Sequence, residues 1–132
     1  MTETNDKKRI VFERNMALMM HRHPHQSVVL KKYQDECPQT EVVRSGKFYW
    51  IRVKEGIFPE TEKYRRLGGS STPWVLLVFG LGLGDGLASL PAEYPRAMRI
   101  FVFEPDISVA LTALHERDLT PLLANERFCF VF

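Results

Sequence analysis

At 132 residues, 45% of them hydrophobic, the chain has enough apolar side chains to bury the core of one ordinary domain, or of a small domain with part of another. Its 18 Lys and Arg are interspersed with 16 Asp and Glu for a formal charge of +2, which leaves no basic stripe of the kind that grips nucleic acid. Residues 1–9 are polar, and no stretch approaches the roughly 18 apolar residues of a membrane span, so a cytoplasmic protein without a membrane partner is expected.

Asn5 is placed to cap a helix over residues 7–22, with Ile10, Val11, Leu18 and Met19 among its apolar positions. Pro24 interrupts that helix because proline lacks the amide donor and pushes its predecessor away from helical geometry. A second helix is predicted over 26–36, ending near Cys37-Pro38. Cys37 and Cys129 lie far apart and lack C-x-x-C spacing, which fits reduced thiols better than a disulfide framework or a zinc site.

Glu41-Val42-Val43-Arg44 and Lys47-Phe48-Tyr49-Trp50-Ile51-Arg52-Val53 are β-prone runs separated by Ser45-Gly46, a hairpin pattern. Large apolar groups fall on both faces of the second arm, so it is expected in a sheet covered on two sides. Residues 54–60 read as a loop. Residues 64–73 combine Arg65 and Arg66 with glycine, serine and proline, and mark a boundary. The division is then 1–66, helices and hairpin; 67–73, linker; 74–132, a second unit.

In that unit residues 75–79 form an apolar run without alternation, the pattern of a central parallel strand buried on both faces. Asp85 can open a short helix to about residue 90, limited by Pro91 and Pro95. Residues 99–103 follow as a strand, Asp106 caps a helix to about 117, and 127–132 read as a third strand. The fold class is α/β: half of a Rossmann-like doubly wound parallel sheet, and the chain is expected to be a truncated piece of a longer polypeptide.

The chemistry of the sequence gathers at Gly80-Leu81-Gly82-Leu83-Gly84-Asp85-Gly86, directly after the first of these strands. Glycine lets the backbone turn and approach a ligand, and the helix start behind it offers free N–H groups. The dinucleotide pattern G-x-G-x-x-G is not met; the match is to G-x-G-x-G, also found with an acid ending the next strand in S-adenosylmethionine enzymes. Glu104 is placed to take ribose hydroxyls there, and Asp85 to meet the far end of such a ligand through water. The candidate binding set is Gly80, Gly82, Gly84, Asp85, Gly86, Glu104 and Asp106. The alternative is that the glycines only permit a tight strand-to-helix crossing while Glu104 and Asp106 cap the next helix.

Other features are weaker. His21, His23 and His25 alternate, but Pro24 spoils their geometry as metal ligands, and a solvated helix terminus is preferred. Arg65 and Arg66 fit a flexible linker better than a phosphate site. Trp50, Trp74 and nine phenylalanines read as core. His115 has no visible partner, and no catalytic residue can be named.

Taken together, the N-terminal helical segment, the hairpin at 42–48, Leu77-Val78-Phe79-Gly80-Leu81-Gly82-Leu83-Gly84, Val102-Phe103-Glu104-Pro105-Asp106, and Asp118-Leu119 before Arg127-Phe128 resemble the N-terminal domain of the motility accessory factor proteins. The likeness covers about residues 40–132. Those bacterial proteins are glycosyltransferase-like enzymes that transfer nonulosonic acids, relatives of sialic acid, onto flagellin. The resemblance implies an accessory or binding domain, not catalytic by itself, because the family's transferase chemistry is assigned to a domain that follows. No family catalytic residue carries over. The alternative is the cofactor-binding half of an S-adenosylmethionine-dependent methyltransferase. The cofactor stays open between a nucleotide-sugar and S-adenosylmethionine. The expected partners are the remainder of a parent chain and a second copy meeting the open sheet edge.

Overall fold

The computed structural model describes residues 2–34, 41–45, 48–53, 56–59 and 73–132, with only the backbone described between 41 and 59. Thr2–Arg22 form helix α1 and Pro24–Tyr33 form α2. Pro24 occupies the first turn of α2, where its missing N–H costs nothing. The capping role expected of Asn5 is corrected. The helix already contains Asn5, with Glu3 complementing the positive end of the dipole in its first turn. α2 begins two residues earlier than predicted and closes at Tyr33, with Gln34 as its C-cap.

Strands β1 (Glu41–Ser45) and β2 (Phe48–Val53) pair antiparallel as the expected hairpin, in a register from Ser45 opposite Phe48 to Glu41 opposite Arg52; Ser45, expected in the turn, is the last residue of β1. A third strand, β3 (Gly56–Pro59), continues the meander against β2, where a loop was expected. Its β-prone core, Ile57-Phe58, is too short to show alternation between Gly56 and Pro59. Cys37, Arg65, Arg66 and residues 67–72 of the predicted linker lie outside the described residues, as do the side chains of the hairpin.

Three further strands, β4 (Val75–Phe79), β5 (Arg99–Phe103) and β6 (Phe128–Val131), form a parallel sheet in the order β4-β5-β6. The first crossover holds a 3-10 turn, Asp85–Leu87, and the short α3, Leu90–Glu93; the second holds α4, Ile107–Glu116, and α5, Thr120–Ala124. The molecule is therefore of mixed α/β class with a three-stranded parallel sheet. α5 was not expected from the sequence; Pro121 within its first turn supplies helical φ without losing a needed donor.

Because strands are added in one direction only, both crossovers fall on the same side of the sheet. On that side Val78, Ile100, Val102, Phe128 and Phe130 are buried in one cluster with Phe12 and Met16 of α1, Leu30 of α2, Leu111 and Leu114 of α4, and Leu122 and Leu123 of α5. The other side differs from expectation. β4 is an edge strand of its sheet rather than a central strand buried on both faces, and Val75, Leu77 and Phe79 are exposed. An unalternating apolar run shows that both faces are apolar; the direction of winding decides whether both are covered. Trp74, expected in the core, is 69% exposed.

Two polar side chains fasten this arrangement. Asn15, fully buried on α1, donates through Nδ2 to the carbonyls of Leu114 at 2.8 Å and Arg117 at 2.7 Å, and accepts the Leu119 N–H on Oδ1 at 3.0 Å. It thereby satisfies groups left over at the end of α4 and the approach to α5. Arg127 donates to the carbonyls of Ala97, Pro91 and Tyr94 at 2.7, 3.0 and 2.5 Å, holding the segment between α3 and β5.

Candidate functional site

The glycine turn leaves the C-terminal end of β4 beside the end of β5, as a strand-to-helix crossing in a parallel sheet requires. Gly80, Gly82 and Gly84 carry φ of 94°, 55° and 83°. This is backbone that L side chains rarely adopt. Gly80 still belongs to the ladder, its N–H donating to the Phe103 carbonyl at 2.7 Å, and nothing lies within 4 Å of where a Cβ would project. Gly84 is the opposite case: a Cβ there would stand 2.8 Å from Leu119 Cδ2. We expect Gly84→Ala to lose about 2 kcal/mol in urea denaturation, from left-handed strain together with overpacking against Leu119. A loss below about 0.5 kcal/mol would show that the turn relaxes freely.

Glu104 points into this turn. Its Oε2 accepts the Leu81 N–H at 2.8 Å, its Oε1 accepts the Asp106 N–H at 3.0 Å, and the residue is only 6% exposed. Burial pushes its carboxyl above the ordinary glutamate range. The N–H groups of Asp106, Leu81 and Gly82 pull the other way and do not offset it. Successive N–H groups in a turn with left-handed residues form a concavity suited to an anion. Here the protein's own carboxylate occupies it.

The remaining acids of the predicted set are also engaged within the chain. Asp85 makes a forked pair with Arg117, its oxygens 3.0 and 3.3 Å from Nε and 3.3 Å from Nη2. Asp85 is 41% exposed at its side chain, so this pair lends little stability. Asp106 caps α4 as predicted, accepting the Ser108 N–H at 2.9 Å. Gly86 is buried within the 3-10 turn. Gly80, Gly82 and Glu104 thus meet at one corner, while Asp85 and Asp106 face Arg117 and the helix start. The sequence reading missed Arg117, which carries no motif, and the aromatic pair beside the corner, Phe79 stacked on Phe103 at 5.5 Å.

The histidines do not converge. His21 and His25 are exposed, whereas His23 Nε2 lies 3.2 Å from the Leu123 carbonyl, and burial holds its imidazole below the usual range. No group of three His, Cys, Asp or Glu suited to a metal occurs among the described residues. His115 stacks on Phe12 at 3.9 Å and turns Nδ1 toward the Leu111 carbonyl. A cleft of about 270 Å³, lined among others by Arg22, His23, Arg99 and Cys129, lies at the opposite, N-terminal end of β5 and β6. No helix of the described residues is long and apolar enough to cross a membrane. No known family, characterised protein or solved structure matches the chain.

Proposed function

We propose that this chain is the N-terminal accessory domain of a motility accessory factor-like glycosyltransferase of flagellin glycosylation. In this reading it works in the cytoplasm in binding or assembly, is not catalytic by itself, and its parallel sheet is one half of a Rossmann-like architecture. One observation carries the reading: the acids of the glycine corner are turned to the protein's own donors, Glu104 to Leu81 and Asp106, Asp85 to Arg117, and Asp106 to Ser108. A transferase or hydrolase centre needs such groups aimed at a substrate. The sequential β4-β5-β6 order, as in one mononucleotide-binding half, also supports it. The test is the gene itself: the reading frame is expected to run past Phe132 into a second α/β domain, and a stop codon there would overturn the proposal.

A second reading is favoured by the open space above Gly80 and the acid ending β5. In it, the corner holds S-adenosylmethionine as half of a methyltransferase. Titration calorimetry decides this: the accessory reading expects no heat with S-adenosylmethionine or its demethylated product at millimolar concentration. Saturable binding would establish the methyltransferase reading instead.

A further inference from the structure

The cleft of about 270 Å³ at the N-terminal end of β5 and β6 brings together two arginines from separate parts of the fold, Arg22 from the end of α1 and Arg99 from the start of β5. Both keep donors to spare. Arg22 Nη1 stands 3.7 Å from Glu126 Oε1, too far for a hydrogen bond, and that carboxylate is 83% exposed. Among the described residues Arg99 engages only the carbonyl of its neighbour Met98, through Nη1 at 3.2 Å. Arg117 and Arg127 differ, since the first forks onto Asp85 and the second gathers three carbonyls. Glu126 is the one acid among the described residues of the lining. His23, also in the wall, fixes the corner beside Arg22: its Nε2 donates to the Leu123 carbonyl at 3.2 Å, and its ring stands edge-on to Phe130 at 5.2 Å.

We propose that this cleft binds a small oxyanion, the carboxylate or phosphate head group of a compound of a few carbons, between the guanidiniums of Arg22 and Arg99. A guanidinium fork matches either head group, and donors not spent inside the chain are what such a ligand requires. Leu123 and Phe128, both buried, back the cleft with an apolar wall, where the attraction between unlike charges is stronger than in open water. The volume lies just under the roughly 300 Å³ at which ligand clefts begin, so a dinucleotide is too large for it. Complementing the helix dipole accounts for Arg22, which closes α1. It does not account for Arg99, which opens a strand and lines the same space. The site lies at the end of the strands opposite the glycine corner and stands whether or not that corner holds a ligand.

Nuclear magnetic resonance titration of the full 132-residue chain tests the proposal, with inorganic phosphate and with acetate as probes at pH 7 and a constant ionic strength set by chloride. Saturable shifts are expected at the His23 ring and at the amides of residues 99 and 123–126, half complete at roughly 1–10 mM. The tighter of the two probes identifies the head group. Arg22→Gln and Arg99→Gln are each expected to weaken binding at least ~10-fold, and Glu126→Gln to tighten it about threefold by removing the competing carboxylate. All three side chains are exposed, so the far-ultraviolet circular dichroism should not change. Arg9→Gln, roughly 20 Å from Arg22 along α1, is expected to leave the affinity unaltered. Shifts that fail to saturate by about 50 mM with either probe would overturn the proposal. So would an Arg9 variant as impaired as the Arg99 variant, which would reveal only the net charge of the chain, or saturable shifts confined to residues outside the cleft.

Discussion

Replacing Asn15 with leucine is expected to lower the stability of the fold by about 3 kcal/mol, and the midpoint of thermal unfolding by roughly 10 °C. Leucine fills a similar volume, so little of the effect comes from a cavity. What is lost is the partner of three main-chain groups: the carbonyls of Leu114 and Arg117 and the N–H of Leu119. Asn15 is fully buried, and water cannot replace it without opening the contact between α1 and the α4–α5 connection. Asn15→Asp is an informative companion. It keeps an acceptor for the Leu119 N–H but turns a second oxygen toward two carbonyls, and it is expected to be at least as damaging at neutral pH. Urea denaturation followed by circular dichroism measures both; a leucine variant within about 1 kcal/mol of the parent would mean that the freed carbonyls find other donors.

Glu104→Ala is the second large effect, about 2–3 kcal/mol, because it empties the concavity of the glycine turn and leaves the N–H groups of Leu81 and Asp106 without their acceptor. Glu104→Gln retains one acceptor oxygen but sets an amide NH₂ against one of those N–H groups, so it recovers only part of the loss. The pair also gives a pH signature. In the unfolded chain the carboxyl titrates near 4.5, and burial raises that value in the folded state. Between the two values the folded protein holds a proton that the unfolded chain has released. The stability from protonated Glu104 is therefore complete below the unfolded value and falls as pH rises through the folded one. Measured as parent minus Gln variant, the unfolding free energy should decline as the pH is raised from 4.5 and then level off. A difference that grows with pH would show that the three N–H groups outweigh burial.

The strands of the parallel sheet and the Asp106 cap could be placed to within a residue or so from the sequence, because each is written locally: an apolar run bounded by glycine, or an acid two residues before a helical serine. The glycine turn was equally local, and its backbone is left-handed at Gly80, Gly82 and Gly84. Other features depend on distant partners. Asn15 reads as an ordinary polar position in a weakly amphipathic helix, and the groups it binds lie about a hundred residues further on. The open face of β4 follows from the order in which strands are added, a property of the whole sheet and not of residues 75–79. At the site, the sequence placed Glu104 beside the glycines, but whether its carboxylate faces a ligand or the turn depends on side-chain torsions that no spacing encodes.

Arg127 carries a consequence for how the molecule comes together. The carbonyls of Pro91, Tyr94 and Ala97 precede β5, yet the guanidinium that gathers them arrives only with β6, some thirty residues later. The passage from α3 into β5 is thus unlatched in any intermediate that has joined β4 to β5 alone. Amide protons around residues 92–98 should accordingly exchange with solvent at the rate set by the detachment of β6, making the last strand the gatekeeper of the first crossover.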